Sequence, residues 1–203
     1  MTGRFERDAR NRGFSRIAGA DEVGRGCLFG PVFAAAVILD PRHPIRGLDD
    51  SKALTPERRE VLDRRIRERA IAYAIAGVDA FRIDRMNILE ASKRALCAAV
   101  RKLPVAPDFL FVDALTLDLE VPQRALIGGD ARCASIAAAS VVAKVARDRV
   151  LQDWHRVYPG FRFDSNKGYA APDHYRGLDD AGPTALHRFS FAPVGQRTLF
   201  ASV

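Results

Sequence analysis

The chain reads as an α/β protein, a mixed sheet flanked by helices with a short helical region at its C-terminal end. Three observations predict this. Apolar runs near the N-terminus are separated by turn signals, which favours antiparallel strands there. Later apolar runs alternate with segments of helical period, which favours parallel crossovers. Acidic residues stand at the ends of several of these runs, where α/β folds gather their ligand sites.

The elements follow in order. Residues 17–20 form a strand leading into Asp21-Glu22, and Gly24-Arg25-Gly26 is a turn. Residues 32–39, Val-Phe-Ala-Ala-Ala-Val-Ile-Leu, make a second, largely buried strand. A loop with two prolines covers 40–50. Thr55 then caps a helix that has Pro56 at its first position and runs to about residue 70. Residues 71–77 are short, apolar and strand-like. One amphipathic helix is expected over 84–102, closed by Pro104 and Pro107. A strand at 108–113 ends in Asp113, and another at 123–127 ends at Gly128-Gly129-Asp130. The helix predicted over 135–155 has a first half that is small and apolar nearly all round, so it is expected to be buried. From Tyr158 onward Gly and Pro allow short helices at most. Residues 1–16 read as an N-terminal extension, 17–194 as one folded domain with a C-terminal helical part and 195–203 as a tail.

With 203 residues, 48% of them hydrophobic, the chain can bury a core as one domain. Its longest apolar runs are too short to span a bilayer. The opening MTGRFERDARNRG has no apolar segment of signal-peptide type, so a soluble, cytoplasmic protein is expected. It is expected to be a monomer. Cys27, Cys97 and Cys133 are odd in number and widely spaced, which suggests neither a disulfide framework nor a zinc site. The net charge of +7 suits a polyanionic partner, nucleic acid first.

Asp21, Glu22, Asp113 and Asp130 all stand at predicted strand ends. Carboxylates crowded together repel unless a cation neutralises them, and oxygen-only ligands suit Mg²⁺ or Mn²⁺ rather than zinc. Taken singly each acid also reads as a strand-end or helix-cap residue, Asp130 above all, but four of them at strand ends favour a metal site. Neighbouring strand residues point to opposite faces. Asp21 and Glu22 therefore reach one ion only if the strand bends, or if Glu22 offers its backbone carbonyl. Gly24-Arg25-Gly26 is no dinucleotide fingerprint, because Gly30 misses the spacing and Pro31 and a strand follow instead of a helix. It is an exposed glycine turn with one cation beside two acids, a place where backbone can approach a sugar-phosphate.

Gly19-Ala-Asp-Glu-Val-Gly-Arg-Gly26, with Leu28 and Gly30-Pro-Val32, resembles the opening signature of the ribonuclease HII family. The match continues through Asp50-Ser51-Lys52, Asn87-Ile-Leu-Glu-Ala-Ser92, Val112-Asp113 and Gly129-Asp130. It extends over Ser135-Ile-Ala-Ala-Ala-Ser140, Ala143-Lys144-Val145 and Arg147-Asp148. It closes with Tyr158-Pro-Gly160, Lys167-Gly-Tyr169, Gly182-Pro183, His187-Arg188 and Ser190-Phe-Ala-Pro193. The resemblance implies a ribonuclease H-like fold and two-metal hydrolysis of RNA in RNA–DNA hybrids or at ribonucleotides embedded in DNA, leaving 5′-phosphate and 3′-hydroxyl ends. It implies that Asp21, Glu22, Asp113 and Asp130 hold divalent metal, Mn²⁺ or Mg²⁺. It implies that Gly24, Arg25 and Gly26 contact the ribose 2′-hydroxyl, that Tyr169 senses the ribo-to-deoxyribo junction, and that Lys52 and Lys144 contact phosphate. Two positions depart from the family pattern: Cys27 replaces the usual Pro, and Asn166 stands where His often precedes Lys-Gly-Tyr.

Bland readings stand beside these. Tyr169 suits a loop aromatic packed on the core, Lys144 and Asp148 a surface pair, residues 135–140 helix–sheet packing, and His187-Arg188 a structural tie. A binding module that has lost catalysis is the alternative in another class. The sister HIII type, which usually carries an extra N-terminal domain, and a DNA-only nuclease are rival enzymes. In the tail, Gln196-Arg-Thr-Leu199-Phe200 resembles the peptides by which bacterial proteins dock on the replication sliding clamp, as a short mobile segment.

Overall fold

The computed structural model describes residues 3–200, with the backbone alone for 197–200. Five strands form one mixed sheet in the order β3-β2-β1-β4-β5. β1 (Ile17–Val23) pairs antiparallel with β2 (Val32–Ile38), which pairs antiparallel with β3 (Ala72–Val78). On its other side β1 runs parallel to β4 (Phe109–Asp113), and β4 parallel to β5 (Gln123–Leu126). Antiparallel strands first and parallel crossovers later is the arrangement expected from the turn signals. The β2–β3 connection, though, carries a helix, α2 (Pro56–Arg69), capped by Thr55 as the sequence indicates.

Strand alternation divides the sheet into two packed faces. Ala18, Ala20, Ala34, Ala36 and Ile38 meet Ala91, Ala95, Leu96 and Ala99 of α4 (Ile88–Arg101). Ala35 and Val37 meet Leu62 and Ile66 of α2 and the small residues Ala137, Ala138 and Val141 of α5 (Ala134–Val157). The first half of α5 is buried throughout from Ser135 to Ala143, as its composition implies. No helix among the described residues is long and apolar enough to cross a membrane.

The second half of α5 leaves the sheet and supports the C-terminal region. There Leu151 packs with Phe29, Phe161, Phe163, Leu178 and Val194. This cluster joins α6 (Phe163–Asn166), α7 (Pro172–Ala181) and α8 (Ala192–Phe200) to the loop after β1. The backbone of α8 is helical as far as Phe200, where the sequence suggests an unstructured tail.

Two elements differ from expectation. The helix expected over 84–102 is two helices, α3 (Ala80–Met86) and α4, broken at Asn87. Asn87 has φ 74°, outside the helical region, and its side chain accepts from Glu90 N–H as the cap of α4. With ψ 163° this is a backbone region that glycine enters far more readily than any other residue, so the break is held by the cap and by packing rather than by a local preference of Asn. Before β1 there is also a helix, α1 (Arg4–Asn11), whose Ala9 and Phe5 pack beside Phe109 and Phe111. Its length of 8 residues is too short to give a clear period.

Candidate active site

β1 and β4 bring two acids side by side. Their parallel register pairs Ala20 with Val112, so the next residues, Asp21 and Asp113, end the two strands as neighbours. Both belong to the face covered by α5, the face on which Gly19 lies against Ser135. Asp21 is buried, and the Ser140 hydroxyl of α5 lies close enough to favour its charged form. Ser140 is 2.8 Å from Ser51 in turn. The Gly129 N–H donates to Asp113 at 2.7 Å, tying β4 to the 3-10 turn Gly129–Ala131. Asp130 lies on that turn, just before α5, with Lys52 Nζ 3.7 Å from its carboxylate.

β1 does not bend at Asp21-Glu22: Asp21 still pairs with Ala35 and Glu22 with Ala34. By alternation the Glu22 side chain leaves from the other face, and its carboxylate meets Arg25 at 3.1 Å. Of the two solutions the sequence left open, a bent strand is therefore not the one adopted.

The acids disturb one another. Burial, then the charges of Glu22 and Asp113, raise the Asp21 carboxyl well above the usual carboxylate range. Burial raises Glu22 as well, against the pull of Arg25. Asp130 is raised by burial and by Asp50 and Asp113, against the pull of Lys52. These are costs that a bound cation would relieve. Among the described residues no three Asp, Glu, His or Cys side chains stand together closely enough to hold one ion as they are. The donor chemistry, oxygen ligands with mutual repulsion, nevertheless fits a hard divalent cation.

A cleft of about 700 Å³ opens over these residues. Asp21, Glu22, Gly24, Arg25, Gly26, Lys52, Asp113, Asp130, Lys144 and Tyr169 all line it, so every residue singled out for catalysis or substrate binding meets in one place. Gly24 has φ 92°, and an added Cβ would lie 2.3 Å from Arg147 Nε, so only glycine fits. Tyr169 is 41% exposed, and Cys27 forms an isolated antiparallel bridge with it. Burial and the neighbouring Cys27 push the Tyr169 hydroxyl up to about 12, so it stays protonated and able to donate.

The ribonuclease HII family model matches residues 18–194. The chain belongs to the ribonuclease HII family. Ribonuclease HII of Solibacter usitatus is 59% identical over 196 residues, covering 97% of this chain and 86% of the relative. Among solved structures, ribonuclease H2 of Pyrococcus horikoshii aligns with a TM-score of 0.79 at 26% identity, covering 93% of this chain and all of that one. The ribonuclease HII in the PCNA:RNase HII complex of Archaeoglobus fulgidus aligns at 0.74 and 26% identity, covering 87% and 95%.

Set within this family, the less obvious residues also find places. Lys144 forms its i,i+4 pair with Asp148 at 2.6 Å, but both side chains are mostly buried and Arg59 stands 4.0 Å from Asp148, so this is no loose surface pair. Ser135 is packing, as expected, whereas Ser140 of the same segment belongs to the site. Asn166, at one departure from the family pattern, donates to Phe161 O and Asp173 and accepts from Gly168 N–H, which shapes the turn before Tyr169. Cys27, at the other, is wholly buried beneath the glycine turn. His187 and Arg188 are buried, too deep for phosphate, and tie backbone segments together.

Sequence reasoning missed Ser140, Arg59 and Asp50. Ser140 and Arg59 line the cleft. Arg59 also fixes the Ser51–Leu54 loop by donating to Ser51 O and Leu54 O. Nothing in the local sequence sets Arg59 apart from the other arginines of α2; the packing of α2 beside α5 brings it to the cleft. Gln196 is exposed, and the side chains of Leu199 and Phe200 lie outside the described residues.

Proposed function

We propose that this chain is a divalent-metal-dependent endonuclease that hydrolyses the RNA strand of RNA–DNA hybrids and cuts at ribonucleotides embedded in DNA. One observation carries the reading: two adjacent carboxylates, Asp21 and Asp113, form the floor of a cleft whose rim is a glycine turn and a half-exposed tyrosine. Membership in the ribonuclease HII family supports it.

In this reading Asp21, Asp113 and Asp130 hold Mg²⁺ or Mn²⁺. Glu22 joins them through its backbone carbonyl, or by releasing its carboxylate from Arg25. When bound, the cations supply charge neutralisation and water activation for phosphodiester hydrolysis. The chain supplies the rest. Gly24, Arg25 and Gly26 bring fixed backbone donors and acceptors to the 2′-hydroxyl, the group that distinguishes RNA from DNA. Tyr169 borders the same sugar. Lys52 and Lys144 place positive charge along the phosphates, and Ser140 holds the Asp21 carboxylate toward the cleft. Attack by water rather than by the 2′-hydroxyl leaves 5′-phosphate and 3′-hydroxyl ends.

The tail supports a second contact. The Archaeoglobus fulgidus relative was solved in complex with PCNA, a sliding clamp. Gln196, Leu199 and Phe200 would dock this chain on a clamp from the end of α8, which raises its concentration on newly made DNA. A cytoplasmic, monomeric enzyme working on the chromosome fits this picture.

The test is direct. A labelled DNA duplex containing one ribonucleotide is incubated with the protein and Mg²⁺ or Mn²⁺, beside an all-DNA duplex. Cleavage at the ribonucleotide with the stated ends is expected. Cleavage of neither duplex, or of both equally, would overturn the reading.

A further inference from the structure

The ribose-reading turn rests on a buried guanidinium. Arg188 is wholly buried and donates three hydrogen bonds to backbone: Nη2 to Gly24 O at 2.7 Å, Nη1 to Arg25 O at 2.8 Å and Nε to Gly30 O at 3.0 Å. In a trans peptide the carbonyl and the following N–H point in opposite directions. Drawing the Gly24 and Arg25 carbonyls inward therefore turns the N–H groups of Arg25 and Gly26 away from Arg188, outward from the core. Among the described residues no carboxylate stands within ion-pair distance of this guanidinium. Burying an unpaired charge is costly, and an apolar side chain would serve stability as well or better. Holding a charge there makes sense for geometry, and for positive potential beneath a phosphate track.

The residue before it reaches the other half of the rim. His187 Nδ1 accepts the Thr184 N–H at 2.9 Å, so its proton is on Nε2. Nε2 is 3.0 Å from His174 Nε2, which must then accept. His174 keeps its proton on Nδ1 and donates it to Tyr169 O at 2.8 Å. One set of tautomers satisfies the whole chain. Burial and the neighbouring His174 lower His187 to about 3, which keeps His187 neutral at physiological pH. Arg188 N–H also donates to Leu28 O, so the dipeptide is stitched to the strand-like limb that leaves the turn.

We infer that His187-Arg188, with His174, is the positioning element of the ribose sensor. Arg188 orients the backbone of Gly24-Arg25-Gly26, and the two histidines set Tyr169 opposite it. This rests on the reading of the turn and Tyr169 given above as the sensor.

The test compares affinity for a duplex with one ribonucleotide to affinity for the same all-DNA duplex, with Ca²⁺ in place of the catalytic cation. Melting temperatures are measured in parallel. The parent protein prefers the ribonucleotide. Arg188→Lys keeps the charge but cannot reach three carbonyls, and is expected to lose about tenfold of that preference. His174→Gln gives up the bond to Tyr169 O and should shift in the same direction. His174→Asn, whose amide replaces Nδ1, should retain the preference. A folded Arg188→Lys with the parent's preference overturns the inference. Should Arg188→Lys fail to fold, equal preference in the two His174 variants overturns it. A parent protein that neither cuts nor prefers the ribonucleotide overturns the functional reading and this inference together, whereas a parent that cuts normally while all variants keep its preference overturns this inference alone.

Discussion

Replacing Gly19 by alanine tests how closely the site depends on the approach of α5 to β1. Gly19 has an ordinary extended backbone, so the cost of the substitution is steric alone. An added Cβ would lie 2.2 Å from Ser135 C and 2.3 Å from Ile136 N, both backbone atoms of α5. Neither can rotate away, so the helix must withdraw by roughly 1 Å to restore normal contact. Overpacking of a tight core costs about 1–3 kcal/mol, and rigid backbone on both sides places this case near the upper figure. For a chain of this length about 3 kcal/mol lowers the melting temperature by roughly 6–12 °C. Withdrawal also carries Ser140 away from Asp21. A misplacement of about 1 Å at a reacting centre costs up to roughly 100-fold in rate. Thermal unfolding followed by circular dichroism, with turnover on a duplex containing one ribonucleotide, measures both effects. A variant melting within about 2 °C of the parent and cutting at the same rate would refute the reasoning.

Asp113→Asn and Asp21→Asn should each abolish cleavage while the protein stays folded; near-normal turnover in either would remove the acids from the mechanism. Because the folded state raises the Asp21 carboxyl, it binds that proton more tightly than the unfolded chain does. Stability from this group is therefore lost as pH rises from the ordinary carboxylate range of about 3.9 through the raised value. Asp21→Asn should then raise the metal-free melting temperature at pH near 7, with the gain vanishing in acid below about pH 3.9. Tyr169→Ala should harm cutting at a lone ribonucleotide more than cutting in a long RNA run, and equal losses in kcat/KM would refute a junction-sensing role. Glu6→Ala removes the carboxylate that accepts from Ser135 N–H at 2.7 Å and Ser135 Oγ at 2.8 Å, and should cost about 2 kcal/mol in urea unfolding; an unchanged midpoint would show that α5 needs no cap from α1. Binding to a purified sliding clamp should be lost in a Leu199→Ala, Phe200→Ala double variant, and equal binding by both proteins would discard the tail as a docking peptide.

The sequence alone determined most of the local structure and pointed to the residues that share the cleft. Strand alternation, Thr55 before Pro56, and the small apolar face of residues 135–143 all depend on residues near one another in the chain. They specify β2, α2 and α5 without knowledge of the rest. The motif residues were likewise legible, and all of those proposed for chemistry meet in one cleft.

What the tertiary structure alone decided are the long-range relations. The register of β1 on β4 makes Asp21 and Asp113 neighbours although 92 positions separate them, and no local pattern encodes that pairing. Glu6 caps α5 from 129 residues away, on a helix too short to announce itself by period. Arg188 reaches back across 164 residues to Gly24; the sequence reads it as a structural tie, but which carbonyls it ties is settled only by packing. Periodicity and turn chemistry are short-range constraints of the backbone, so a sequence displays them directly. Register, capping by a distant helix and the burial of a charge depend on which surfaces meet when the chain closes, and those are fixed only by packing.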